Sequence, residues 1–183
     1  IYIYDMLGGA PDRLTRVQRG VSSFAWRSES EILFAAEEDS TFRERTLAER
    51  KDDVVVAADR EHYGPARLFS ISLDTKEVKR LTRNAGVITE FAVSPGGGMA
   101  VLSENIDVDY GYDHRARPAQ HLLDLETGEM REICTEPFVD PDSFEWARDG
   151  KGFYCRRAFA SDSTDDYVNI SHLWYFDMQS ETL

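Results

Sequence analysis

The sequence predicts an all-β fold, a partial β-propeller of about three and a half four-stranded antiparallel blades. Three observations predict it. Similar segments recur at a period of about 52 residues, apolar and polar residues alternate within them, and turn-forming residues separate the apolar stretches. No segment carries a sustained helical period with caps, which excludes a helical solenoid.

Blade pieces fall at 1–15, 21–82, 87–134 and 142–183 of a single domain, 1–183. The first, IYIYDMLGGAPDRLT, has two short apolar stretches around a Gly-Gly break and closes on Leu14-Thr15. The next three open on a shared pattern, with Phe24, Phe91 and Phe144 in one column. Trp26, Val93 and Trp146 follow two residues later, then a polar or Gly-rich turn, then a second apolar stretch. These aromatic residues are expected to form the core between blades. The third strand of each blade carries the column Asp5, Ser72, Asp124 and Asp177. The fourth ends on Leu14-Thr15, Leu81-Thr82 or Ile133-Cys134.

The Phe column steps by 67 and then 53 residues, and the Asp/Ser column by 67, 52 and 53. One blade is therefore enlarged, and the extra residues lie in an insertion at 38–66. That gap is 29 residues long, against 14 for the equivalent gaps 105–118 and 158–171. The expected chain starts at the third strand of one blade, runs through two whole blades, and stops as the fourth strand of another begins. A closed ring takes at least about four blades. Uncovered blade faces are aggregation hazards, so self-association of the chain is expected.

Composition narrows the function classes. Acidic residues outnumber basic ones 34 to 21, giving a net charge of −13, which disfavours a nucleic-acid partner. No apolar run reaches the ~18–20 residues of a membrane span, and no secretory leader is expected. Cys134 and Cys155 form no metal-ligand spacing, and two free thiols fit a reducing, cytoplasmic compartment. No histidine has an i, i+3 or i+4 partner, so neither a metal nor another cofactor is expected. The stretch Ser94-Pro95-Gly96-Gly97-Gly98 lacks the Lys-Ser/Thr of a phosphate loop and is read as a tight reversal between strands.

The turns Asp124-Leu-Glu-Thr-Gly-Glu129, Ser94-Pro95-Gly96-Gly97 and Ala147-Arg-Asp-Gly-Lys151, with the Leu-Thr strand ends, resemble the propeller of prolyl oligopeptidase family serine peptidases. The similarity is to the acylaminoacyl-peptidase and dipeptidyl-aminopeptidase branch. The stretch from Lys51 through Arg60-Glu-His-Tyr63 to Leu68 is also typical of that branch. The resemblance implies a propeller that gates and positions short peptide substrates for an α/β-hydrolase domain. No G-x-S-x-G elbow or catalytic triad occurs in this chain, so its expected role is accessory. Tol-system propellers share the same blade grammar, which leaves a non-catalytic protein-interaction propeller as the alternative. A propeller lyase acting on acidic sugars usually needs a His-rich metal centre that this sequence does not display.

Within that resemblance, Glu37 and Glu38 at the entrance of the insertion are candidates to hold a substrate amine, since a carboxylate pair neutralises an ammonium. Neighbours on a strand point to opposite faces, so a solvated charge pair is the plainer reading. Arg115 and Arg117 are candidates for a substrate carboxylate, with charge balance against nearby aspartates as the plainer reading. The acidic stretches 107–113 and 162–166 are read as solvated loops, since neither has the order of a calcium loop.

Overall fold

The computed structural model describes residues 1–38, 46–47, 49–51, 64–106, 117–135, 141–162 and 165–183, with the backbone alone for 158–162 and 165–169. The described residues form four antiparallel sheets, the successive blades of an unclosed propeller. Strands β1 (Tyr2–Ile3) and β2 (Asp12–Arg13) make the first. The second has β3 (Ser23–Ser28), β4 (Glu31–Glu37), β5 (Ala66–Ser72) and β6 (Val78–Arg80) in chain order. The third repeats that order with β7 (Val87–Val93), β8 (Met99–Asn105), β9 (Ala119–Asp124) and β10 (Met130–Ile133). The fourth holds β11 (Pro141–Trp146), β12 (Gly152–Asp162) and β13 (Asp165–Asp177). An isolated Asp177–Thr182 bridge stands where a fourth strand would begin.

Each repeated column has a physical cause. The carboxylate of Asp124 accepts hydrogen bonds from the Glu126 and Thr127 N–H groups, both at 2.8 Å. Asp177 accepts from Gln179 and Ser180 in the same way, at 2.9 and 2.8 Å. These are Asx turns, which fix the reversal between third and fourth strands. Backbone N–H donors hold both carboxyls below their usual pKa, Thr127 first for Asp124 and Ser180 first for Asp177. The Leu-Thr column anchors the fourth strand. Thr82 is buried and its hydroxyl accepts from the Leu68 N–H at 3.0 Å. Thr15, 67 positions earlier, accepts from the nitrogen of Ile1 at 2.5 Å.

The core lies between blades. Ile32, Phe34 and Ile71 face the first sheet, with Leu14 buried beside them. Leu33, Ala35 and Leu68, on the opposite face of the second blade, pack with Ile88, Ala100 and Leu102 of the third. Val101 and Leu122 turn the other way, toward Phe144, Phe153, Cys155 and Phe176 of the fourth. The two-residue period of each strand thus feeds two junctions. Cys134 borders this last cluster, and neither cysteine forms a disulfide. Burial pushes the Cys155 thiol up to about 12.

Polar staples fix the blades against one another. The Trp146 indole donates to the Ala92 carbonyl at 3.0 Å, and Glu90 accepts from the N–H groups of Ser143 and Phe144 at 3.0 and 2.9 Å. Arg27 reaches from the second blade to the Gly97 carbonyl at 2.9 Å and to Glu126.

The expectation that the whole Phe-x-Trp column is core requires correction. Phe144 is 8% exposed and Trp146 packs beside it, but Phe24 and Trp26 are 59% and 50% exposed. The cause is a missing neighbour. Phe144 and Trp146 on β11 pack against the third blade, whereas the first sheet has only β1 and β2 among the described residues. A second correction concerns 158–171, where β12 and β13 form a long hairpin with Asp162 paired to Asp165.

Glu104 gives this framework a pH dependence. It is 6% exposed, accepts from the Gly86 N–H at 2.8 Å and lies 3.3 Å from His121 Nε2. Burial works to raise its pKa, but the His121 ring and the Gly86 N–H outweigh it and hold the carboxyl below the usual value of 4.5. A depressed folded value contributes stability that is full above the ordinary pKa and lost as pH falls through the folded one. The melting temperature is therefore expected to fall more steeply below pH 4.5 in the native chain than in Glu104→Gln. Parallel acid limbs for the two proteins would remove Glu104 from this role.

Candidate functional site

A pocket of 620 Å³ opens between the second blade and the segment that follows β2. Its floor is apolar. Phe34 on β4 stacks on Phe69 on β5 with ring centroids 5.4 Å apart, because the two residues pair directly across the ladder. Val17 and Val78 extend this surface, and Arg16, Glu37, Glu38 and Arg80 supply the charged rim. The geometry follows from register: Phe69 pairs with Phe34 on one side and with Arg80 on the other, so one row of the sheet carries both rings and a guanidinium.

The two glutamates predicted as site residues do meet here, on different partners. Glu37 is an exposed strand end whose carboxylate accepts from Arg19 at 3.1 Å. Glu38 is half-buried, and one of its oxygens takes both Arg67 and Arg80, the latter at 2.7 Å. The Arg67 hydrogen bond, then that of Arg80, holds the Glu38 carboxyl below its usual pKa against the opposing effect of burial. Arg67 also donates to the Asn84 carbonyl at 3.0 Å, which fixes its guanidinium in place. A carboxylate shared between two guanidiniums is already neutralised, which leaves little to offer an incoming amine.

Arg117 stands two residues before β9 and does not line this pocket. Arg115 lies outside the described residues, as do the insertion residues 39–45 and 52–63 and the acidic stretch 107–113. Sequence reasoning did not single out Arg16, Arg19, Arg67 or Arg80 as site residues, because they converge only through folding. Among the described residues no group of three or more His, Cys, Asp or Glu is placed to hold a metal ion. None of their helices is long and apolar enough to cross a membrane.

No protein-family model and no curated protein matches the chain. Solved structures do match it. TolB from Acinetobacter baumannii aligns with a TM-score of 0.61 at 15% identity, over 99% of this chain and 35% of that one. A putative TolB from Agrobacterium tumefaciens aligns at 0.59 and 13% identity, over 97% of this chain and 52% of that one. The acylaminoacyl peptidase of Pyrococcus horikoshii aligns at 0.57 and 11% identity, over 88% of this chain and 23% of that one. The chain thus spans about half or less of each of these proteins. At such identities the likeness is one of fold: this chain has the architecture of a β-propeller segment, similar to the propellers of TolB-type proteins and of several peptidases.

Proposed function

We propose that the chain is the polypeptide-binding part of a non-catalytic interaction propeller. The observation that carries this reading is the pocket, an apolar floor of stacked aromatic rings inside a rim of mixed charge. Such a site combines contact area for a side chain with charge-assisted anchors for chain ends or ionic groups. Calorimetric titration of the intact chain with short peptides is expected to give dissociation constants of about 1 µM to 1 mM. A chromogenic aminoacyl ester is expected to remain intact. Binding of no peptide would remove this reading, and turnover of the ester would replace it with an enzymatic one.

A second reading makes the same blades the gating and substrate-positioning part of a serine peptidase. It is supported by the turns Asp124-Leu-Glu-Thr-Gly-Glu129 and Ser94-Pro95-Gly96-Gly97 and by the fold shared with acylaminoacyl peptidase. It requires an α/β-hydrolase domain with a G-x-S-x-G elbow in the same polypeptide. A parent gene without that pattern ends the second reading and leaves the first untouched.

A further inference from the structure

The pocket beside the end of β4 is lined by two arginines and two glutamates, and two further arginines pair with those glutamates, in a chain whose net charge is −13. Its two acids are committed: Glu37 to Arg19, and Glu38 to Arg67 and Arg80 together. Arg16, a fourth arginine, lines the pocket from the other wall, is exposed, and has no hydrogen bond or ion pair among the described residues. Arg80 is 44% exposed and meets Glu38 through one terminal nitrogen, Nη1. A guanidinium carries five N–H donors, so Arg80 keeps others in reserve. Among the described residues four arginines thus surround two carboxylates, a balance that disfavours an arriving ammonium.

We infer that this pocket takes a carboxylate joined to an apolar body, specifically the free C-terminus of a polypeptide that ends in an aliphatic or aromatic residue. The carboxylate is held at the rim by Arg16 and Arg80, whose planar forks match its two oxygens. The last side chain lies over Val17, Phe69 and Val78. A volume of 620 Å³ is ample for a terminal residue and part of the one before it. The inference rests on the peptide-binding reading above and reverses the polarity expected for Glu37 and Glu38. Those residues become supports that orient arginines, not anchors for an amine.

The experiment compares three probes by calorimetry on the intact chain: acetyl-Ala-Ala-Leu as free acid, the same peptide as its C-terminal amide, and Ala-Ala-Leu amide with a free N-terminal amine. The free acid is expected to bind, with both amides about tenfold weaker or worse, the loss of one charged hydrogen-bonded contact. Arg16→Gln is expected to weaken the acid by a similar factor while leaving the thermal melt unchanged, because Arg16 makes no hydrogen bond or ion pair among the described residues. Equal binding of acid and acetylated amide overturns the carboxylate assignment, as does an Arg16→Gln chain that binds the acid like the native one. Preference for the free-amine probe overturns it too, while sparing the peptide-binding reading. Silence from all three probes removes both.

Discussion

Phe153→Ala is expected to cost about 3–5 kcal/mol of folding stability, the usual range for deleting a fully buried aromatic ring. Phe153 is 0% exposed and lies at the middle of the junction between third and fourth blades. Its ring stacks on Phe176 at 4.9 Å, meets Phe144 edge-on at 5.7 Å and tilts against Trp146 at 5.4 Å. Those three partners come from both strands that flank β12, so no single side chain can collapse into the space left behind. Phe24→Ala provides the contrast. That residue belongs to the same repeated column as Phe144 but is 59% exposed, and its loss is expected to stay within about 0.5 kcal/mol. Urea unfolding followed by circular dichroism measures both. Comparable costs at the two positions would mean that Phe24 is covered in solution and that the open blade face is not open.

That contrast also marks how far the sequence can be read. Strand period, turn residues and the 67- and 53-residue steps of the Phe column identify the blades, because each repeat must solve the same packing problem against a neighbour. The column does not say whether a given copy has that neighbour, so Phe24 and Phe144 read alike and fold into opposite environments. Small irregularities hide in the same way. Trp26 pairs with Ile32, six residues on, whereas Val93 pairs with Ala100 and Trp146 with Phe153, seven residues on. The aspartate-rich stretch 162–166 reads as a loop because its composition conceals the backbone ladder that pairs Asp162 with Asp165.

The candidate site was legible only as two adjacent glutamates. Its chemistry depends on guanidiniums from β5, β6 and the segment after β2, brought together by register at sequence distances that no local pattern records. Adjacent acids on one strand suggest a cation site; three arginines folded against them remove it. Charge in a pocket is a property of the assembled row, and Arg80 enters that row because it pairs with Phe69.

Gly97→Ala is expected to cost about 2–4 kcal/mol, clearly more than Gly150→Ala at about 1–2 kcal/mol. The two glycines occupy equivalent turns between first and second strands, with φ of 68° and 69°. In both, an alanine suffers the left-handed penalty of any L side chain. They differ in what a side chain meets. Nothing lies within 4 Å of a Cβ at Gly150, but at Gly97 it would fall 2.5 Å from the Arg27 carbonyl oxygen and 3.3 Å from its Cγ. That contact is backbone, so it yields only if the second and third blades separate. Separation also breaks the Arg27–Gly97 hydrogen bond at 2.9 Å and draws Arg27 away from Glu126. Asparagine divides the two effects, because it enters the left-handed region more readily than alanine. At position 150 it is expected to recover part of the alanine loss, whereas at 97 the collision remains and recovery should fail. Matching costs for alanine at the two sites in urea unfolding would show that the turn does not press on Arg27. The Gly-rich break between two apolar strands would then be a turn and nothing more; the predicted difference makes it the point where one blade seats against the next.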